Sequence, residues 1–296
     1  MKVVVFSLIF LTYQEYKRFT AMNYACPETL VETQWLAKHL NDPKLRIVEI
    51  DLNSQAYEQG HIPGSIFWSA MTQLSSNMSL NLNPESMTAL LSNSGITNNM
   101  TIVVVHNNYA ATSGCTFWLL KLFGHQDIRI LNGGRQKWEA ESLPITRDQT
   151  EVTPTNYQVK GLDNSLRISS AEVKEAISKT EEILLDVRTP EEYRGEIYLQ
   201  APPQVDEKAG HIPGAINIYY ELAHNEDGTF KSASQLQEIY GDLVSANQLI
   251  IPYCAVGGRS GHTWFILKYL LGCDRVKNYD GSWNEWSKLS DAPIAQ

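Results

Sequence analysis

The sequence predicts an α/β protein built as a tandem duplication, each half a parallel sheet with helices on both faces. Three observations predict it. Landmarks recur in the same order: His61-Ile62-Pro63-Gly64 returns as His211-Ile212-Pro213-Gly214, and Asn132-Gly133-Gly134…Trp138 returns as Asp280-Gly281-Ser282…Trp286. Short β-branched runs alternate with helical stretches in both halves. Those runs are apolar on both faces, as strands must be in a sheet that is covered twice.

The elements follow in order. A chain of 296 residues is long enough for two domains with separate cores. Residues 1–27 read as an N-terminal extension, with Met22 as an alternative start. Val3 to Leu11 resembles a short signal core, but nine residues cannot span a bilayer and Tyr13 to Arg18 is polar. The first domain, 28–145, carries strand Arg46–Asp51, helix Pro84–Asn93, strand Thr101–Val105, helix Thr112–Phe123 and strand Ile128–Leu131. A polar linker, 146–166, holds Pro154 and Gly161. The second domain, 167–296, carries strand Ile183–Val187, helix Ser234–Tyr240, strand Leu249–Tyr253, helix Ser260–Leu271 and strand Arg275–Tyr279. The helices at Thr112 and Ser260 are apolar nearly all round, so they are expected to be buried against the sheet.

Composition narrows the function. With 43% hydrophobic and 19% charged residues the chain is a globular protein, and its net charge of −9 argues against nucleic acid or an anionic membrane as partner. A small anionic substrate would have to be drawn in by a local field. Cys26, Cys115, Cys254 and Cys273 form no Cys-x-x-Cys pair and no zinc spacing, so neither a metal nor a disulfide scaffold is expected. A reducing cytoplasm suits them, with periplasmic export the alternative that residues 1–21 hold open.

The chemistry concentrates in Cys254-Ala255-Val256-Gly257-Gly258-Arg259-Ser260. A strand, a glycine-bearing loop and a helix N-terminus make an anion cradle, because converging N–H groups and the helix dipole both favour negative charge. A cysteine there has its thiolate favoured, and the thiolate is the nucleophile. Its counterpart in the first half is Asn107, so only the second half can run thiol chemistry. Arg259 is a cation placed against the helix dipole, which anion binding would justify. Asp186 and Arg188 follow a strand end, where sites gather in open sheets. Arg188 is read as a donor contact or a structural ion pair, and Asp186 as a holder of loop N–H groups. Trp283 is a pocket wall or a core aromatic; His61 and His211 are structural turn residues. His262 is a candidate general acid and Cys273 a candidate resolving thiol. From Asp186 to His211 runs 25 positions, against 10 from Asp51 to His61. The insertion at 195–207 lies over the cleft or forms a surface loop.

Over roughly residues 28–294 these motifs, with Val276 to Trp286 and Asn225 to Lys231, resemble the tandem-domain rhodanese sulfurtransferases, closest to the bacterial thiosulfate branch. The resemblance implies two rhodanese-like domains and a Cys254 persulfide formed from thiosulfate, with 3-mercaptopyruvate as the alternative donor. It implies an acceptor such as cyanide, a thiol or a thioredoxin-like protein, and no cofactor. Backbone N–H groups from Ala255 to Ser260 would stabilise the persulfide, and Arg259 would hold the departing sulfite. A persulfide carrier without free-standing turnover is the non-enzymatic alternative. Cell-cycle phosphatases share such a loop but place the arginine six residues after the cysteine, where this chain has Ser260. The chain departs from the mitochondrial enzymes at Ala255, from the mercaptopyruvate enzymes at Val256, and from both at Glu192, which replaces an arginine, with Arg194 two further on.

Overall fold

Hydrophobic runs flanked by turn residues pair into two parallel sheets. The structure, a computed structural model, describes residues 24–199, 201–245 and 247–296. The reading of residues 1–21 lies outside the described residues. The first sheet has the order Leu30–Val31, Ile128–Leu131, Thr101–His106, Leu45–Asp51, Ser65–Ser69, all parallel. Ile102, Val103, Val104 and Val105 are all fully buried. Such a strand needs cover on both faces, and a β-branched run supplies it with rigid packing surfaces.

The second sheet keeps three strands, in the order Leu249–Tyr253, Glu182–Asp186, Ile216–Asn217. The strand expected over Arg275–Tyr279 forms only isolated bridges, Ile250 to Val276 and Arg167 to Asn278. Pro252 is the physical reason. Ile250 N donates to Arg275 O, Lys277 N to Ile250 O and Tyr279 N to Pro252 O, but Pro252 has no N–H to give back. The ladder therefore breaks after one bridge, and Asn278 turns to Arg167 instead.

The helices Ala111–Leu122 and Gly258–Phe265 occupy equivalent places in the two halves and pack against each other. Each lies between its own sheet and its twin, which accounts for apolar residues on every side. Two glycines permit the approach. A Cβ on Gly114 would come within 2.7 Å of His262 Cα, and one on Gly261 within 3.4 Å of Cys115 Cα. Phe117 and Phe265 meet across this seam with ring centroids 4.7 Å apart. After Phe265 the helix does not run on as α to Leu271 but widens into a π turn over Ile266–Leu270.

The second half of the expected linker is tied down on the first domain. Thr155 N donates to Ser92 O, the Tyr157 hydroxyl meets His125 Nδ1 at 2.9 Å, and Asp163 N donates to Leu122 O. The segment at Tyr24 crosses to the second half: Ala25 N and Cys26 N donate to Leu270 O and Tyr269 O, and Tyr24 Oη to Lys231 O. No helix among the described residues is long and apolar enough to cross a membrane.

Candidate active site

Strand Leu249–Tyr253 ends by placing Cys254 at the C-terminal edge of the second sheet, where ligands bind in open parallel sheets. The loop then turns sharply. Gly257 has φ of 90°, and a Cβ there would lie 2.5 Å from Asp280 O, so the position admits glycine alone. The turn aims Gly257 N–H at Cys254 Sγ, 3.1 Å away, and brings the Ser260 hydroxyl to 3.7 Å. Asp280 is fixed in turn by a bidentate pair with Arg167, at 2.9 and 2.8 Å.

Ser282 supports the loop from behind. Cys254 N donates to Ser282 Oγ at 3.0 Å, and that hydroxyl donates to Tyr279 O at 2.8 Å. Ser282 adopts φ of +52°, where the repeat counterpart Gly134 sits at +54°. A side chain in this left-handed conformation costs about 1–2 kcal/mol. The second half bears that cost for a hydroxyl that holds the cysteine. Sequence reasoning passed over Ser282, yet the signal was present: serine where the repeat has glycine.

Burial of Cys254 pushes its thiol pKa up, but the Arg259 charge, the N–H and hydroxyl of Ser260 and the Val256 N–H outweigh it. The thiol is left below its ordinary range. Arg259 is itself held by Glu192, whose two oxygens accept from Nη1 and Nη2 at 2.6 and 2.8 Å. Burial alone would raise the Glu192 carboxyl; the pairing with Arg259 reverses that and leaves it low. Glu192 is positioned by the Thr189 capping box of a short helix, Pro190–Tyr193.

A cavity of about 300 Å³ opens onto the sulfur. Cys254, Ala255, Val256, Gly258 and Arg259 form its floor. Ile197 and Leu199, from the start of the insertion in the second half, line it as well. Tyr109 comes from the first domain, and Tyr219, Tyr220 and Glu221 from the second. The Tyr220 hydroxyl donates to Glu221 Oε1 at 2.7 Å. These aromatic and acidic walls carry no sequence motif, and only folding reveals them.

Other expected residues land elsewhere. Arg188 is not a donor contact: it is 1% exposed, with Nη2 and Nε on Asp186 and Nη2 also on Gly210 O at 2.7 Å. Desolvation opposes its charge, and the Asp186 carboxylate more than restores it. Asp186 therefore holds Arg188, through its backbone N–H as well as its guanidinium. Trp283 lies 4.6 Å under that guanidinium and is a core aromatic, although its backbone N–H donates to Cys254 O. Arg194 is on the surface, paired with Glu191 and Glu196. His61 and His211 stack on Tyr57 and Tyr193 at 4.0 and 3.7 Å, the same turn device in both halves.

His262 is fully buried in the seam, with Nε2 2.8 Å from His224 Nε2, and does not line the Cys254 cavity. Burial, with His224 and His106 nearby, holds it neutral. Cys273 lines a separate hollow beside Ile250, near the opposite end of a five-residue strand from Cys254. That separation, about 3.3 Å per strand residue, rules out a resolving role.

Two α/β repeats, the second with a loop cysteine that accepts the Gly257 N–H, define a duplicated fold with a single thiol site at its sheet edge. The rhodanese-like domain pattern matches residues 32–141 and 169–289, and the chain belongs to the rhodanese family. It is 42% identical over 288 residues to the sulfur carrier protein TtuD of Thermus thermophilus, covering 93% of this chain and 99% of that one. It is 37% identical to a thiosulfate sulfurtransferase of Corynebacterium glutamicum, covering 92% of this chain and 91% of that one. A solved structure of an anaerobic ergothioneine biosynthesis enzyme from Chlorobium limicola superposes with a TM-score of 0.78 at 25% identity. That match covers 91% of this chain and 70% of the other. Rhodanese-type sulfur transfer is the activity these relationships support.

Proposed function

We propose that this protein moves a sulfane sulfur from thiosulfate to a thiophilic acceptor such as cyanide, through a persulfide on Cys254. The single observation that carries the proposal is the Gly257 N–H aimed at a buried Cys254 Sγ whose thiolate is favoured. The Cys254 thiolate attacks the outer sulfur of thiosulfate; the sulfur–sulfur bond breaks and sulfite leaves with the bonding pair. The terminal persulfide sulfur then faces the loop N–H groups and the Arg259–Glu192 pair. Acceptor attack on that terminal sulfur returns Cys254 as thiolate. Thiosulfate as donor is supported by the name of the Corynebacterium relative. The Thermus relative, named a sulfur carrier, supports a second reading in which the same persulfide is delivered to a partner protein, a thioredoxin-like one among them. Both readings share the loading step. Mass spectrometry after incubation with thiosulfate should find wild type one sulfur atom heavier and Cys254→Ser unchanged. Thiocyanate release on adding cyanide separates free-standing turnover from carriage, and an unloaded wild type would end both.

A further inference from the structure

The first-domain loop that corresponds to the Cys254 loop also lines a cavity. Its volume is about 330 Å³, within the range of small-molecule sites, and His106, Asn107 and Asn108 form one side of it. His224 and Glu226 from the second domain form the other side. Tyr109, Tyr220 and Glu221 line both this cavity and the one over Cys254, so the two are neighbours along a single wall.

Most polar groups of this second cavity are already engaged. Asn108 Nδ2 donates to Asp51, Asn225 Nδ2 to Thr229 and Phe230 O, and Gln136 Nε2 to Glu226 O. Among the described residues His106 Nδ1 has no partner, and Asn107 has none for its whole amide. Asn107 is only 7% exposed, and neither Nδ2 nor Oδ1 has a hydrogen-bond partner among the described residues. A buried amide left without partners costs about 1–3 kcal/mol, so it calls for a ligand. One donor and one acceptor side by side are the complement of a peptide unit. No lysine or arginine lines the cavity, while Glu221 and Glu226 do, so it favours an ammonium over a carboxylate.

We infer that the first-domain cavity is the acceptor subsite, binding a short peptidic thiol by its amide at Asn107 and its ammonium at Glu226 while the thiol reaches Cys254. The inference rests on the sulfur-transfer reading. Acceptor thiolate attacks the terminal sulfur of the Cys254 persulfide, the bond to Sγ breaks, and Sγ keeps the electron pair. The acceptor leaves as a persulfide, and no oxidant is consumed.

Three acceptors test this: cyanide, 2-mercaptoethanol and glycyl-cysteine amide. Asn107→Leu, close in shape and without the amide, should raise KM for glycyl-cysteine amide about tenfold, the effect of one lost hydrogen-bonded pair. Loading from thiosulfate and turnover with cyanide and 2-mercaptoethanol should stay as in wild type. Glu226→Gln, on an exposed loop, should raise the same KM about threefold, an effect that added salt removes. The oxygen analogue glycyl-serine amide should compete with the peptide thiol in wild type and fail to do so in Asn107→Leu. An unchanged KM for the peptide thiol, or equal changes for all three acceptors, overturns the subsite. A Cys254 that never loads would instead overturn the sulfur-transfer reading, and the subsite with it.

Discussion

At the scale of single residues, the ionisation of the Cys254 thiol is a balance between burial and a few nearby dipoles and charges. Arg259 is the strongest of the groups that favour the thiolate. Replacing it alone would strand Glu192 as an unpaired buried carboxylate, so the informative variant is the pair Arg259→Met with Glu192→Gln. In that variant burial loses its main opponent. The pH midpoint of Cys254 alkylation should move to higher pH than in wild type, and sulfur loading from thiosulfate at neutral pH should fall about tenfold. Ser282→Gly separates strain from function. Release of the left-handed serine should hold or raise the melting temperature, by up to about 1 kcal/mol of stability. Loss of the oxygen that accepts the Cys254 N–H should slow persulfide formation in single-turnover mass spectrometry. A variant that is both less stable and equally fast would contradict this assignment.

At the scale of elements, much of the architecture was legible. Strand Ile128–Leu131 and helix Pro84–Asn93 fall where their residues put them, because β-branched runs and an Asn83 cap before Pro84 act locally. The repeat exposed the duplication, and Asn107 opposite Cys254 marked the half that carries the thiol. What stayed hidden depends on packing between distant segments. Arg188 reads equally as a donor contact or an ion pair until the fold places Asp186, Gly210 and Trp283 around it. Glu192 and Arg259 are 67 positions apart, and no local pattern joins them. The missing N–H of Pro252 breaks the ladder only because the fold lays the 275–279 segment beside it. The close helix crossing gives a test at this scale. Gly114→Ala places a methyl against His262 and should cost about 1–3 kcal/mol, read as a lower urea midpoint.

At the scale of the whole molecule, the domain interface carries buried neutral histidines. Burial holds His106 down to about 3 and His224 to about 4, and His262 lies well below its usual value. Unfolded histidines take up protons near pH 6.5. Between those limits the unfolded chain binds more protons, so stability is full above about pH 6.5 and declines as the pH falls. The decline should approach about 1.4 kcal/mol per pH unit for each histidine. Thermal melts from pH 7.5 to 5 should show it, and His262→Gln should flatten the slope; equal slopes would place the loss elsewhere.

The seam between the Ala111 and Gly258 helices also bears on the ancestry written into the repeat. Each helix has become the far wall of the other's core, with Trp118 and Phe265 both out of reach of water. A severed half would present such surfaces to solvent, where contiguous apolar patches drive association. The two copies are therefore no longer interchangeable modules. One carries asparagine at the cradle while its partner carries the thiol, and neither can be discarded without unroofing the other.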